Sequence, residues 1–305
     1  MKAIVIEETG GPERLVVRDV ADPDVSEGQS LVHVRAAGIN FLDLLVRQGN
    51  YAQAPELPTI PGVEVAGETE DGRRVIALLT GGGYAERVAV DDERIRPLPD
   101  GASFTEGASF LLTFLTAWIP LTRQVRLEPS QTVLVHAGSG GVGTAAIQVA
   151  RHLGARVVAT ASVEEKRRFC MEQGAEDVYG YDEFAEAVRP DVVVDPVGGE
   201  VFAASVATLA PLGTVIGVGY AGGWWEELNP ALLVGRNVGV QGFYLGRLMA
   251  RRPDIVAEAA GELLDLWTSG AVTPVVGAEF PLAEVADAHR LIEERKHMGK
   301  VVLVP

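Results

Sequence analysis

The chain has a single cysteine, Cys170, among its 305 residues. No disulfide can close within it, and no multi-thiolate zinc site can be built from its own side chains. A lone cysteine in a helix-patterned segment reads as a small buried hydrophobe. Lysine is nearly as scarce: Lys2, Lys166, Lys296 and Lys300 are the whole set. Acidic residues outnumber basic ones 42 to 26, a net charge of −16 that repels phosphate backbones and anionic lipid. Neither nucleic acid nor a membrane is an expected partner. The longest apolar run, residues 107–120, is shorter than the ~20 residues a spanning helix needs. MKAIVIEE at the start reads as a strand followed by acids rather than a targeting peptide, so a cytoplasmic protein is expected. His33, His136, His152, His289 and His297 are scattered, without a Ser-His-Asp or Cys-His arrangement. His136 lies in an apolar run and reads as a core residue.

Glycine, by contrast, is abundant, at 35 residues. Three of them form the centre of the chain's organisation: Gly138, Gly140 and Gly143 in TVLVHAGSGGVGTAAIQVARHLG, residues 132–154. A β-branched run precedes the G-x-G-x-x-G and a helix-period segment follows it, which is the context a dinucleotide site requires. Gly138 is expected to make the tight turn, Gly140 to admit a pyrophosphate, and Gly143 to let helix and sheet approach. Ser139, Gly141 and Val142 complete a helix start whose unpaired N–H groups attract phosphate.

Before this motif, short strands at 3–6, 15–20, 30–36, 63–68, 74–78 and 85–90 are separated by Gly and Pro breaks, as in a compact β-barrel-like domain. A helical turn at 41–47 interrupts them, and 105–122 reads as one or two helices. From 132 onward strands (133–137, 156–161, 191–195, 214–217, 239–244) alternate with helices (141–153, 164–173, 200–209, 230–236), the signature of a parallel sheet covered on both faces. A helix at 254–269, a strand near 275–280, a helix at 282–294 and a strand at 300–304 close the chain. The last two strands are expected to return to the first domain. The fold class is α/β, with residues 1–117 and 252–305 in one domain and 118–251 in the other.

The segments AAGINFLD (36–43), PGVEVAG (61–67), TFLTAW (113–118), VLVHAGSGGVGTAAIQVAR (133–151), VVVDPVGG (192–199) and HMGKVVLV (297–304) resemble the zinc-free quinone oxidoreductases, the zeta-crystallin-like branch of the medium-chain dehydrogenase/reductase superfamily. The resemblance spans essentially the whole chain. It implies a GroES-like β-barrel domain, a Rossmann domain, NADPH as hydride donor, and a homodimer along the Rossmann sheet edge, for which the strand at 239–244 is the candidate. Zinc-dependent relatives carry Cys and His where this chain has Asn40 and Val63, so no metal is expected. Asn40, Asp43 and Glu64 could in principle hold a hard cation, but without soft or imidazole ligands they read as hydrogen-bonded polar residues near a cleft.

NADH enzymes of this architecture usually place an acid at the tip of the second strand. Here the tip is Ala159-Thr160-Ala161-Ser162. The resemblance assigns Ser162, Lys166 and Tyr181 to the 2′-phosphate of NADPH: a small hydroxyl, an ammonium and a phenol are all suited to it. It further assigns Asn40 to the nicotinamide ribose or the substrate and Thr116 to the nicotinamide. Gly217, Gly219, Phe243 and Leu245 would line the nicotinamide end, with Lys300 near the rim. Tyr51 could donate a hydrogen bond to a substrate carbonyl. Leu45 stands where the family often has an aromatic or polar residue, which makes the pocket more apolar. Trp224 and Trp225 read equally as a ring-stacking platform or a dimer contact. The leading expectation is hydride transfer from NADPH to quinones or related α,β-unsaturated carbonyls, with solvent supplying the proton. An enoyl-thioester or haloacrylate reductase shares every motif, and a non-catalytic NADPH-binding sensor or structural protein is the alternative of another class.

Overall fold

In the computed structural model, which describes residues 1–51 and 53–305, the β-branched runs near the N-terminus build one sheet system. β1 (Lys2–Ile6) and β2 (Leu15–Asp19) pair antiparallel. β3 (Gln29–Gly38) is the longest strand and leads into α1 (Phe41–Gln48). β4 (Glu64–Thr69), β5 (Arg74–Leu78), β6 (Arg87–Asp91) and β7 (Ile95–Pro97) follow. β3 pairs with β4 along one part of its length and β6 along another, and a bulge between Val34 and Ala36 breaks its register. Such a break bends a strand and lets the sheet curl. Ile4, Val32, Val65, Tyr84 and Leu303 fill the interior. After α2 (Phe104–Gly107), α3 (Leu111–Ile119) carries the chain into the second unit.

That unit is a six-stranded parallel sheet. In chain order it comprises β8 (Thr132–Val135), α4 (Gly141–His152), β9 (Arg156–Thr160), α5 (Glu164–Glu172), β10 (Asp177–Tyr179), α6 (Phe184–Ala187), β11 (Val192–Asp195), α7 (Gly199–Thr208), β12 (Thr214–Gly217), α8 (Pro230–Arg236), β13 (Gly239–Gly242), α9 (Leu245–Arg251) and α10 (Pro253–Thr268). The spatial order is β10-β9-β8-β11-β12-β13. The chain winds outward from β8 in one direction and from β11 in the other, so the crevice between their carboxyl ends is the switch point where open α/β sheets bind ligands. β13 is an open edge.

β14 (Val276–Pro281), α11 (Val285–Glu293) and β15 (Lys300–Val304) complete the first unit. β15 runs antiparallel to β3 through Val302↔Gly38 and Leu303↔Ala37, and β14 pairs with β15 in parallel. By contacts the units are Met1–Leu112 with Pro274–Pro305, and Thr113–Thr273. The second boundary lies beyond residue 251 because α10 lies with the parallel-sheet unit, packing against α9 and holding Trp118 and Arg123 through Glu262. β7 and β10 have only three residues each, too few to generate a periodic pattern. Residues 104–124, α2 and α3 with the turn between them and the π turn after them, make one apolar stretch in which an 18-residue window has mean hydropathy 1.2. Among the described residues it alone is long and apolar enough to cross a membrane, but 78% of that window is buried. It outruns the apolar stretch at 107–120 because it starts at Phe104 and continues through Pro120. Proline has no N–H for the preceding turn, and the helix widens there into a π turn, Pro120–Gln124.

Candidate functional site

The turn between β8 and α4 is built so that one glycine is free on its outer side. The left-handed residue is Ala137 (φ 50°), not Gly138. Gly138 is instead required by packing, because a Cβ there would lie 2.9 Å from both Ala159 Cβ and Cys170 Sγ. Gly143 is required too: its Cβ would collide with the Ala137 carbonyl. Gly140 differs, since a Cβ would meet only Ala137 O at an ordinary 3.4 Å. Packing within the protein therefore does not require a glycine at 140. Gly140 caps α4 without a side-chain acceptor, which leaves the first-turn amides of Gly141, Val142 and Gly143 oriented for an anion. Ser139 is buried beside them. The pyrophosphate of a dinucleotide fits this cradle. Cys170 lies beneath it, fully buried, and burial pushes its thiol up to about 12, which makes it inert packing.

At the tip of β9 the backbone is tied to this turn, since Gly138 N–H donates to Thr160 O at 3.0 Å. It is tied to β10 as well, through Ala161 N–H to Tyr179 O at 3.1 Å. Ser162 is exposed, Lys166 and Tyr181 are half-buried, and no carboxylate occupies the tip. Ser162, Lys166 and Tyr181 thus flank one strand end, on the segments that follow β9 and β10.

Toward the other side of the switch point, Asp195 ends β11 fully buried. Its Oδ1 accepts from Val197 N–H (2.7 Å) and Gly198 N–H (3.1 Å), and burial raises its carboxyl above the usual range. Phe243 N–H donates to Gly217 O at 2.9 Å, which aligns the ends of β12 and β13. Phe243, Leu245 and Thr116 are buried. The two tryptophans separate. Trp225, 37% exposed, brings its Nε1 to 3.3 Å from where a Gly217 Cβ would be, whereas Trp224 is 66% exposed. Tyr220 packs edge-on against both, at 4.5 and 5.1 Å between ring centres. Trp225, Phe243, Tyr244 and Arg247 border a cavity of about 860 Å³ within this unit. Gly219 packs against the Pro196 carbonyl.

In the first unit, Asn40, Glu64 and Lys300 form one buried cluster. Lys300 Nζ donates to Asn40 Oδ1 at 2.5 Å and Glu64 Oε2 at 2.6 Å. Asn40 Nδ2 donates to Gly38 O at 3.2 Å, and Glu64 Oε1 accepts from Leu112 N–H at 2.9 Å. The ammonium therefore sits among the oxygens that a hard cation would have used. Lys300 is 4% exposed, so it is an interior ion-pair partner rather than a rim residue. Asp43 lies alongside, accepting from Asn40 N–H (2.8 Å), Gly62 N–H (3.2 Å) and Tyr84 O–H (3.0 Å). Burial outweighs these bonds and lifts its carboxyl to about 6. Tyr51 packs half-buried against the apolar core, and Leu45 is buried. Among the described residues no three His, Cys, Asp or Glu side chains converge as metal ligands.

Sequence reasoning missed three of these features: Glu64 as the counter-charge of Lys300, Tyr84 on Asp43, and Trp225 over Gly217. Each joins residues far apart in the chain, and none has a local spacing that signals it.

A zinc-binding dehydrogenase family model matches residues 173–303, and an alcohol dehydrogenase GroES-like domain model matches residues 26–100. The quinone oxidoreductase of Rattus norvegicus is 32% identical over 100% of this chain and 98% of its own length. The human synaptic vesicle membrane protein VAT-1 homolog is 31% identical over 100% of this chain and 86% of its own. The solved structure of the quinone oxidoreductase from Thermus thermophilus, described also in complex with NADPH, superimposes with a TM-score of 0.93 at 42% identity, covering both chains completely.

Proposed function

The chain belongs to the quinone oxidoreductase branch of the medium-chain dehydrogenase/reductase superfamily, and from that premise we propose that it is an NADPH:quinone oxidoreductase working without zinc. NADPH, when bound, supplies the hydride. The protein's part is to hold the coenzyme and the acceptor in reacting geometry and to exclude water.

One observation carries the coenzyme assignment. The tip of β9 lacks the acid that would bond a free ribose hydroxyl, and Ser162, Lys166 and Tyr181 lie on the segments that follow β9 and β10. We assign the 2′-phosphate to these three and the pyrophosphate to residues 138–143. Thr116, Gly217, Gly219, Phe243 and Leu245 are assigned to the nicotinamide end. Asn40 and Tyr51 are assigned to the acceptor side, with Lys300 acting through Asn40, whose amide it orients. Protonation of the reduced acceptor falls to solvent. Zinc independence is supported by Asn40 and Val63 at the ligand positions and by the Lys300 ammonium among the nearby oxygens.

An acceptor of quinone or enone type is the small-molecule partner. The open edge β13, with Trp224, Leu232, Val234 and Tyr244 exposed on its flanking segments, supports a homodimer formed there, because unpaired edges are commonly covered. The buried character of the 104–124 segment argues against its crossing a membrane, and we place the enzyme in the cytoplasm.

The test is replacement of Lys166. Lys166→Ala should raise the KM for NADPH about ten- to a hundredfold, the worth of a charge-assisted hydrogen bond, and leave the KM for NADH unchanged. An equal rise for both would show that Lys166 does not read the 2′-phosphate.

A further inference from the structure

His136, the first residue after β8, is fully buried and takes no part in the function proposed above, yet it makes a defined set of contacts. Its Nδ1 is 2.9 Å from Thr160 Oγ1, and its Nε2 is 2.7 Å from Ser205 Oγ. Ser205 donates its own hydroxyl hydrogen to Val201 O at 2.7 Å, so its oxygen can only accept from the ring. The imidazole is therefore the Nε2–H tautomer, and its Nδ1 lone pair receives the Thr160 hydroxyl. Burial lowers the ring's proton affinity to about 3, so it is neutral at physiological pH and this pattern is fixed. Phe184 packs edge-on to the ring at 4.8 Å, and Tyr181 lies nearly parallel to it at 6.2 Å and 24°.

These contacts join parts that the coenzyme must span. Two residues after His136 is Gly138, whose amide holds the backbone carbonyl of Thr160, while the His136 ring holds the Thr160 hydroxyl. Two residues after Thr160 is Ser162. The Tyr181 ring lies nearly parallel to the His136 ring. One side chain thus sets the spacing between the pyrophosphate turn and two of the three groups assigned to the 2′-phosphate.

We propose that His136 is a positioning residue for coenzyme selection, fixing Thr160 and Tyr181 so that NADPH is preferred over NADH. The proposal rests on the 2′-phosphate assignment made above. His136 touches neither phosphate nor nicotinamide, and its effect should fall on affinity for NADPH rather than on turnover.

Binding of NADPH and NADH is measured by calorimetry on the full-length wild type and on Lys166→Ala, His136→Leu, His136→Asn and Thr160→Val, with circular dichroism to verify folding. In His136→Leu, affinity for NADPH should fall about tenfold while affinity for NADH stays within about twofold. Asn places an oxygen where Nδ1 stands and should recover part of the loss. Thr160→Val removes the same hydrogen bond from its other end and should reproduce the His136→Leu pattern, which decides the matter if His136→Leu does not fold. An unchanged preference for NADPH in a folded His136→Leu or Thr160→Val protein would overturn the proposal, as would equal loss of both coenzymes. If Lys166→Ala also leaves the preference intact, the phosphate assignment itself has failed. If Lys166→Ala loses it and the other variants do not, only the role of His136 has.

Discussion

Gly140 and Gly143 belong to the same motif, and the structure gives them opposite reasons to be glycine. A Cβ at Gly143 would collide with a backbone oxygen that cannot move without dismantling the turn; at Gly140 it would make an ordinary contact. Gly143→Ala is therefore expected to unfold at a temperature lower by about 5 to 10 °C, in line with the few kcal/mol of overpacking in a rigid interior. Gly140→Ala should unfold within about 2 °C of wild type and bind NADPH at least about tenfold more weakly. Thermal unfolding and calorimetry on the two variants measure both effects. Asp43 offers a second test at this scale. Its carboxyl is raised to about 6 in the folded chain from an ordinary value of 3.8, so the native state holds a proton that the unfolded state releases. The stability this contributes is complete below about pH 4 and is lost as pH rises through about 6, a span worth roughly 3 kcal/mol. Chemical unfolding across that interval, compared between wild type and Asp43→Asn, should show the slope in the former and not in the latter. Much of this was legible: Gly138, Gly140 and Gly143 announce themselves by spacing. Which glycine makes the turn was not, because Ala137 carries the positive φ and an alanine gives no sequence sign of it. Asp43 reads in the sequence as a hydrogen-bonded polar residue near a cleft, but one of its partners, Tyr84, lies forty-one positions away, where no local spacing points to it.

Among the elements, β3, β4 and β15 are joined at their ends by the Asn40–Glu64–Lys300 cluster. Lys300 opens β15, Glu64 opens β4, and Asn40 precedes α1. An interior ion pair is costly to break by halves, because the remaining charge has no water to turn to. Lys300→Met should therefore destabilise the protein by about 3–5 kcal/mol, and adding Glu64→Gln should return most of that stability; denaturant unfolding of the single and double variants measures the difference. The strands themselves were readable from alternation and β-branching, with β7 and β10 too short to register. The family resemblance places Lys300 near the rim of the nicotinamide cleft, and nothing in its local sequence marks it as buried. Only the register of β15 against β3 reveals that its side chain is directed inward to Glu64.

For the molecule as a whole, the alternation of strand and helix after residue 132 sufficed to specify a parallel sheet, and the return of residues 276–304 to the first unit followed from their strand chemistry. The boundary near α10 did not, since that helix carries no mark in its sequence of which unit it packs against. At this scale the open edge β13 and the exposed Val234 lead to a further expectation. Val234→Glu should convert a dimer in solution to monomers, with sedimentation velocity as the measure; unaltered dimers would place the interface elsewhere. The central claim is that this chain reads the 2′-phosphate of NADPH and passes its hydride to quinones with no metal involved. The most direct test is steady-state oxidation of NADPH and NADH by phenanthrenequinone, using protein dialysed against a strong chelator. NADPH should be consumed with a kcat/KM at least about tenfold above that for NADH, and the chelator should not alter the rate. Equal consumption of both coenzymes, or activity that disappears on dialysis and returns with zinc, would contradict the account.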